Sequence, residues 1–162
     1  MNLWDYYTQG QVIALIGISH REQIKRWLAA CATAGYPVNV TYLCGKPMYL
    51  RDDIDANITR LYITPNPLLK WEFAKKRFNM VRQDVDLDVW LAPCEAMKLW
   101  PYGRTYLYLQ TTMTTGMPNI RTKIVHFKGG TKRETLYLFR KDDILRFVTK
   151  RTAYARAKVQ TD

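Results

Sequence analysis

The fold of this chain is decided by residues 7–31, YTQGQVIALIGISHREQIKRWLAAC. Thr8 followed three residues later by Gln11 is a capping box, which predicts that a short apolar helix begins here and runs to Ile16. Gly17 favours the left-handed conformation that ends helices, so a tight turn is expected next. The segment therefore predicts a short helix followed by an abrupt change of direction.

A second, longer helix is predicted after the turn. Ser19 and Glu22 form another capping box. The apolar side chains that follow recur at helical spacing on one face, at Ile24, Trp27, Leu28 and Cys31. Gly35 supplies a left-handed stop, and Pro37 prevents the helix from continuing. We expect the apolar stripe to be buried and the basic side chains to face outward.

Two short strands and a third helix complete this part of the chain. Residues 38–43 and 48–50 have strand-like sequences separated by a glycine-containing turn. Asp52 is in place to cap the helix that follows. The order helix, turn, helix, two-stranded wing, helix predicts a winged helix-turn-helix over residues 1–62.

The residues that carry this order resemble those of MerR-type and excisionase-like winged helices. Residues 7–19 show an aromatic side chain, a capping threonine, an apolar helix and a Gly-apolar-Ser turn. Residues 24–27 are similar to the recognition-helix run of these families, and residues 49–54 to the exit from the wing. The resemblance covers residues 7–58. It implies sequence-specific binding of double-stranded DNA by a small phage or mobile-element type regulator of transcription, excision or replication.

The same pattern recurs in the second half of the chain. Thr-Gly-Met-Pro at 115–118 echoes Ala-Gly-Tyr-Pro at 34–37, and Asp-Asp-Ile at 142–144 echoes the same letters at 52–54. Because order and spacing are kept, residues 90–162 are predicted to form a second, diverged winged-helix-like unit. This unit has a basic wing and a basic C-terminal helix. The alternative is a basic antiparallel sheet with a terminal helix.

The two predicted units are connected by residues 63–89. Apolar residues close to one helical face predict an amphipathic bridging helix over 68–80, and an alternating acidic and apolar stretch follows it. The predicted fold class is therefore α+β, with tandem winged helix-turn-helix units joined by a bridging helix. The domain boundaries fall at 1–62, 63–89 and 90–162.

The positive charge of the chain is unevenly distributed. The net charge is +11, of which residues 1–64 and 65–89 contribute +1 each and residues 90–162 contribute +9. Such an excess favours a polyanionic partner, most often nucleic acid. We infer a division of labour in which the N-terminal unit selects the sequence and the C-terminal unit supplies most of the phosphate contacts.

The cysteines and the termini bear on the compartment. Cys31, Cys44 and Cys94 form an odd, widely spaced set without a CxxC motif, which argues against a disulfide scaffold and a zinc finger. Reduced thiols are expected. No signal peptide or membrane-spanning run is recognised, so a cytoplasmic protein, nucleoid-associated when bound, is expected.

Candidate DNA contacts lie first on the second helix, which enters the major groove in a helix-turn-helix. Its expected exposed residues are His20, Arg21, Gln23, Lys25 and Arg26. Arg21 and Gln23 suit guanine and adenine edges, whereas Lys25 and Arg26 suit phosphates. Lys46 is the only basic residue of the wing turn.

The second unit adds a larger set of basic candidates. Arg104 stands where Arg21 stands in the first unit, at the start of the predicted second recognition helix. Further phosphate contacts are predicted on a strand, at a wing tip and on the last helix: Arg121, Lys123, Lys128, Lys132, Arg133, Lys150 and Arg151.

The evidence for catalysis is weaker. His20 and His126 lie in no metal-ligand spacing, and the aspartate pairs at 52–53 and 142–143 are better explained by helix capping than by Mg²⁺ binding. We predict no enzyme, no cofactor and no metal. The alternatives are an RNA- or single-strand-binding module, a metal-dependent nuclease that uses the aspartate pairs, and a second unit that serves dimerisation. The expected partner is duplex DNA, without a membrane, bound by a monomer acting as a pseudo-dimer or by a homodimer.

Overall fold

The fold is α+β. The computed structural model describes residues 1–18, 20–61, 83–112, 115–127, 129–130 and 134–161. These residues contain six α-helices and two three-stranded antiparallel sheets. The predicted capping residue Ser19 and the predicted bridging helix 68–80 lie outside the described residues.

The chain divides into two compact units. The first comprises Met1–Val85 together with His126–Thr135, and the second comprises Asp86–Val125 together with Leu136–Asp162. The first unit contributes a 3-10 helix over Leu3–Asp5, followed by β1 (Tyr6–Thr8), α1 (Gln9–Ile16), α2 (Arg21–Thr33), β2 (Val40–Leu43), β3 (Lys46–Leu50) and α3 (Arg51–Leu61). The sheet order is β1-β3-β2.

The capping box that starts α1 is confirmed. Thr8 Oγ1 accepts a hydrogen bond from the Gln11 backbone N–H at 3.2 Å, and Gln11 Oε1 accepts one from the Thr8 backbone N–H at 3.0 Å. Gly17 ends the helix in the left-handed conformation, with φ 76°. The tight turn predicted from the sequence is therefore present.

Helix α2 buries the stripe that its spacing predicts. Ile24 and Cys31 are buried, and Trp27 and Leu28 are half-buried against the same apolar cluster. The chain turns after the helix at Gly35, whose φ is 87°. At its start, the residue in the N-cap position is His20, whose side chain makes no capping hydrogen bond.

The wing is a hairpin with a two-residue loop. Leu43 pairs with Lys46, so only Cys44 and Gly45 connect β2 to β3. Both have positive φ, 52° and 76°, as a type I′ turn requires. The twist of this turn matches that of the strands, so β2 and β3 continue directly from it.

The second unit repeats the element order of the first. It consists of β4 (Trp90–Leu91), α4 (Pro93–Leu99), α5 (Arg104–Gln110), β5 (Thr122–Phe127), β6 (Glu134–Arg140) and α6 (Lys141–Thr161), with the ends of β5 and β6 next to their hairpin tip assigned to the first unit. Its sheet order, β4-β6-β5, places the strands as in β1-β3-β2. Each last helix begins directly where the central strand ends.

The repeat extends to individual hydrogen bonds. The Asp53 carboxylate accepts from the backbone and side-chain N–H groups of Asn39, both at 2.8 Å. The Asp143 carboxylate accepts from the backbone and side-chain N–H groups of Arg121, at 2.9 and 2.8 Å. In both units the carbonyl of that donor residue accepts from the last residue of the central strand at 2.9 Å. The two units therefore share a specific bond pattern as well as an element order.

This pattern corrects the prediction that Asp52 caps α3. The helix begins at Arg51, immediately after β3, so Asp52 already lies in its first turn and is exposed. The next residue, Asp53, accepts the hydrogen bond from the Asn39 backbone N–H. The sequence pattern placed the helix start two residues too late because it assumed a loop between strand and helix.

Each unit has its own apolar core. Ile24 of α2 and Leu107 of α5 take the same place, three residues after the first residue of their helix, and both are buried. Cys31 is a free, buried thiol, whereas Cys44 and Cys94 are disulfide-bonded. The expectation of reduced thiols is therefore wrong for those two cysteines.

Candidate nucleic-acid interface

The first turns of α2 present a group of polar and basic side chains. Its buried face is fixed by Ile24, which is 1% exposed. The five residues of this region that are predicted to contact DNA are all exposed, namely His20, Arg21, Gln23, Lys25 and Arg26. Glu22 is exposed beside them and lies in the first turn, where an anion interacts favourably with the helix dipole. The structure thus places this set together on one helix, as the sequence predicts.

The wing contributes Tyr42 as well as Lys46. Both are exposed, and Tyr42 is 69% exposed, which is unusual for a large aromatic side chain on a strand. Tyr42 pairs with Pro47, and Val40 pairs with Tyr49, so these residues lie on one face of the hairpin. This is the face on which Tyr49 packs into the core. Sequence analysis missed Tyr42, although an aromatic residue so close to a two-residue turn was the available signal.

The Tyr49 phenol links the wing to the start of α2. Burial raises the pKa of Tyr49, and the neighbouring Tyr42 phenol raises this pKa further. Hydrogen bonding by Gln9 and the positive charge of Arg21 act in the opposite direction on the same pKa. The wing residue Tyr42 and the first residue of α2, Arg21, thus both act electrostatically on the Tyr49 phenol.

The second unit presents a different surface at the equivalent helix. Arg104 is exposed and is the first residue of α5, as Arg21 is of α2. The two helices differ, however, at the positions four and five residues after their first residue. Lys25 of α2 corresponds to Tyr108 of α5, and the basic residue next to Lys25 corresponds to Leu109. Both replacements are exposed. Helix α5 has seven residues and, apart from its first residue, shows no basic side chain.

Arg121 and Lys123 are engaged within the second unit. Arg121 makes a bidentate ion pair with Asp143, with Nε–Oδ2 at 2.8 Å and Nη2–Oδ1 at 3.0 Å. The Arg121 guanidinium holds the pKa of the Asp143 carboxyl below its usual value, chiefly through hydrogen bonding. The Lys123 ammonium lies 5.7 Å from the centre of the Trp90 ring. Both cations therefore have partners inside their own unit.

The tip of the β5–β6 hairpin belongs to the first unit. Three predicted phosphate contacts at this tip lie outside the described residues, namely Lys128, Lys132 and Arg133. At its described flanks, Glu134 Oε1 accepts a hydrogen bond from Thr8 Oγ1 at 2.7 Å. A Cβ on Gly130 would stand 3.3 Å from the Gly10 carbonyl carbon. The described flanks of the tip thus pack against the start of α1. Only a glycine at position 130 allows this packing without displacement of the neighbouring atoms.

Lys150 and Arg151 lie on α6, and both are exposed. Arg151 Nη1 donates to the Tyr106 hydroxyl at 2.6 Å, and its guanidinium lies over the Tyr102 and Tyr106 rings. Tyr106 also stacks on Trp100, so it is part of an aromatic cluster and not an outward-facing residue. Of these two predicted contacts, Arg151 thus fixes α6 to the aromatic cluster.

The described residues offer no metal centre. Within them, no group of three or more His, Cys, Asp or Glu side chains is placed to hold a metal ion. Asp53 and Asp143 instead accept hydrogen bonds that join strand to helix. Among the same residues, no helix combines the length and apolar character needed to cross a membrane.

Comparison of this chain with protein-family models, with curated proteins and with solved structures finds no match. Its function must therefore be argued from its own residues.

Proposed function

We propose that this protein binds double-stranded DNA in a sequence-specific manner, with α2 in the major groove and the β2–β3 wing beside it. The observation that carries the proposal is the exposed set at the start of α2. Arg21 and Gln23 are exposed residues in the first turn of a helix whose apolar stripe is anchored by buried Ile24. A helix so anchored can present its first turns to base edges without losing its own packing.

The wing supports the same proposal. A hairpin that is stiffened by a two-residue turn carries Tyr42 and Lys46 at its exposed end. Tyr42 lies on the hairpin face from which Tyr49 packs into one apolar cluster with Ile24 of α2. Contacts from a recognition helix and an adjacent wing would let one unit bind both the base edges and the neighbouring backbone.

The repeated element order and the shared hydrogen bonds favour a tandem winged helix-turn-helix. In this proposal the protein acts as a small regulator of transcription, excision or replication, of the kind found in phages and mobile elements. It works as a pseudo-dimer or a homodimer on DNA. The second unit supplies phosphate contacts more than base contacts, because α5 exposes Tyr108 and Leu109 where α2 exposes basic residues.

RNA or single-strand binding has less support. That alternative needs Tyr106 and Tyr108 free for stacking on bases. Tyr106 instead bonds to Arg151 and packs against Trp100, and Tyr108 packs against Tyr137. A nuclease has no described metal-binding group to support it.

The proposal is tested with the double variant Arg21→Ala and Gln23→Ala. A preferred duplex is first selected from a random pool, and affinity is then measured for that duplex and a scrambled one. Loss of two base contacts, each worth about 1–3 kcal/mol, should weaken specific binding at least tenfold and leave scrambled binding nearly unchanged. The control variant is Lys25→Ala with Arg26→Ala, which should weaken both duplexes equally because phosphate contacts carry no sequence information. An equal loss on both duplexes with the first variant would refute base readout by α2.

A further inference from the structure

Helix α6 extends beyond the core of its unit. It contains 21 residues, so it is about 31 Å long. Ile144 is buried and Phe147 and Val148 are half-buried, but every residue from Thr149 to Val159 is exposed. From Thr149 onward, α6 therefore lies outside the apolar core of its unit.

The exposed side of α6 is basic from Arg146 onward. At about 100° per residue, one face lies opposite Ile144, Phe147 and Arg151, which point toward the core and the aromatic cluster. This face begins at Asp142 and Leu145; we call its part from Arg146 onward the outer face, which consists of Arg146, Thr149, Lys150, Ala153, Arg156 and Ala157. Arg146 was not among the residues predicted to bind.

The charge of the outer face is poorly compensated. Arg146 Nη1 lies 3.6 Å from Asp143 Oδ1, but Asp143 is already bonded to Arg121. No acidic residue occurs in the sequence between Asp143 and Asp162. Arg146 and Lys150 are four residues apart, a spacing at which like charges repel on a helix. Arg146 and Lys150 thus repel each other on the free helix, and a polyanion lying on the outer face would reduce that repulsion.

We propose that the outer face of α6 binds the phosphate backbone of the duplex independently of its sequence. This inference rests on the proposed function, because it assigns the same partner to a second surface. The distance from Arg146 to Arg156 along the helix is about 15 Å, which corresponds to about four base-pair steps of 3.4 Å along the duplex axis. Ala153 lies between the cations, and its small side chain allows the helix to approach the backbone closely.

Two other occupants fit the helix less well. A membrane surface requires a broad apolar face, but Tyr154 lies about 140° from Val159 and about 180° from Leu145, the other exposed large apolar residues of this helix. A second copy of this chain would bring like charges together. Uncompensated cations on one side of a helix are complementary to a polyphosphate.

The test uses the full chain with the double variant Lys150→Ala and Arg156→Ala. The affinity for the selected duplex and for a scrambled duplex is measured as a function of salt concentration. Each lost phosphate contact lowers the slope of log affinity against log salt by about 0.9, so the slope should fall by about 1.8. Both duplexes should lose affinity by the same factor. The thermal unfolding midpoint should stay the same or rise, since a repulsion between basic side chains is removed.

Lys98→Ala is the control variant. It removes one exposed cation from α4 of the same unit, where Lys98 pairs with Glu95, and should leave the slope unchanged. An equal change of slope in this control would show that net charge alone is responsible and would overturn the proposal. So would an unchanged slope in the double variant, or a loss confined to one of the two duplexes.

The outcomes separate this inference from the proposed function. A reduced slope in a protein that prefers no sequence would support the outer face and refute sequence-specific binding. An intact sequence preference with an unchanged slope would support sequence-specific binding and refute the outer face as a phosphate site. Vesicles containing an anionic phospholipid form the last arm. If Lys150→Ala with Arg156→Ala abolishes binding to these vesicles but leaves duplex binding intact, the outer face is a membrane site and the proposal is wrong.

Discussion

Tyr42 is an exposed aromatic residue on the first unit's wing. Its 69% exposure means that its side chain adds little to the stability of the free protein. Tyr42→Ala should therefore shift the free energy of unfolding by less than about 0.5 kcal/mol. If the ring contacts DNA, affinity for the selected duplex should fall by roughly tenfold, about 1.4 kcal/mol. Tyr42→Phe keeps the ring and should retain most of the affinity. Titration of labelled duplex with the three proteins measures this, and equal affinity of all three would exclude Tyr42 from the interface.

Asp143 is a buried carboxylate, 4% exposed, that joins the start of β5 to the start of α6. Asp143→Asn keeps the size of the side chain but removes its charge and one acceptor for the Arg121 guanidinium. Hydrogen bonds to charged groups contribute about 1.5–3 kcal/mol, so a loss of roughly 2 kcal/mol in the free energy of unfolding is expected. Urea unfolding of the full chain measures it. Asp142→Asn is the control, because that neighbouring side chain is exposed.

The same carboxylate predicts a pH dependence of stability. The pKa of Asp143 is lowered in the folded protein, chiefly by hydrogen bonding from Arg121, so the folded state favours the ionised form. A lowered pKa contributes stability above the unfolded value of about 3.9, and that stability is lost as the pH falls through the folded pKa. The difference between wild type and Asp143→Asn should thus be constant near neutral pH and shrink below about pH 4. A difference that grows on acidification would contradict this assignment.

At the scale of elements, α1 depends on its first residues. Thr8 Oγ1 accepts from the Gln11 N–H and donates to Glu134, so one hydroxyl both caps the helix and bonds to the hairpin tip. Thr8→Ala should cost about 1 kcal/mol or more, because losing an N-cap alone costs about 0.5–2 kcal/mol. Thr8→Ser keeps the hydroxyl and should cost less. Thermal or urea unfolding distinguishes the two variants, and equal losses would show that the methyl group, not the hydroxyl, matters.

Elements defined by local sequence were predicted well, whereas those that depend on distant partners were not. The Thr8–Gln11 capping box and the stripe through Ile24 are read within one or two helical turns, so α1 and α2 were predictable. Strand β1 was missed because it is defined by pairing with β3 more than 40 residues away, Tyr7 opposite Tyr49. The bond from Asp53 to Asn39 was missed for the same reason, since only the fold brings them together.

The candidate site follows the same rule. Which side of α2 faces outward follows from helical periodicity, so Arg21 and Gln23 could be proposed from the sequence. The pairing of Arg121 with Asp143 could not, because it joins a strand to a helix 22 positions later. Tyr42 and Arg146 required knowledge of exposure, which sequence patterns give only where apolar stripes are regular.

At the scale of the whole molecule, the two units share an element order but expose different side chains on their equivalent helices. The equivalent helices both begin with an exposed arginine, yet Lys25 of α2 corresponds to Tyr108 of α5. Residues 90–162 nevertheless carry a net charge of +9, against +1 for residues 1–64. Base edges are read by a few side chains on a helix, while phosphates require only charge. This asymmetry favours sequence selection by the first unit and backbone binding by the second.

The asymmetry predicts the form of the preferred duplex and the effect of Arg104→Ala. Two equivalent recognition helices would select two half-sites about ten base pairs apart, centre to centre. If α2 alone reads bases, selection from a random pool should instead give one specified segment beside a footprinted flank without sequence preference. Arg104→Ala should then weaken the selected and the scrambled duplex by the same factor, whereas Arg21→Ala should weaken mainly the selected one. Two equally specified half-sites, or a loss of sequence preference at one of them in Arg104→Ala, would assign base readout to α5 as well.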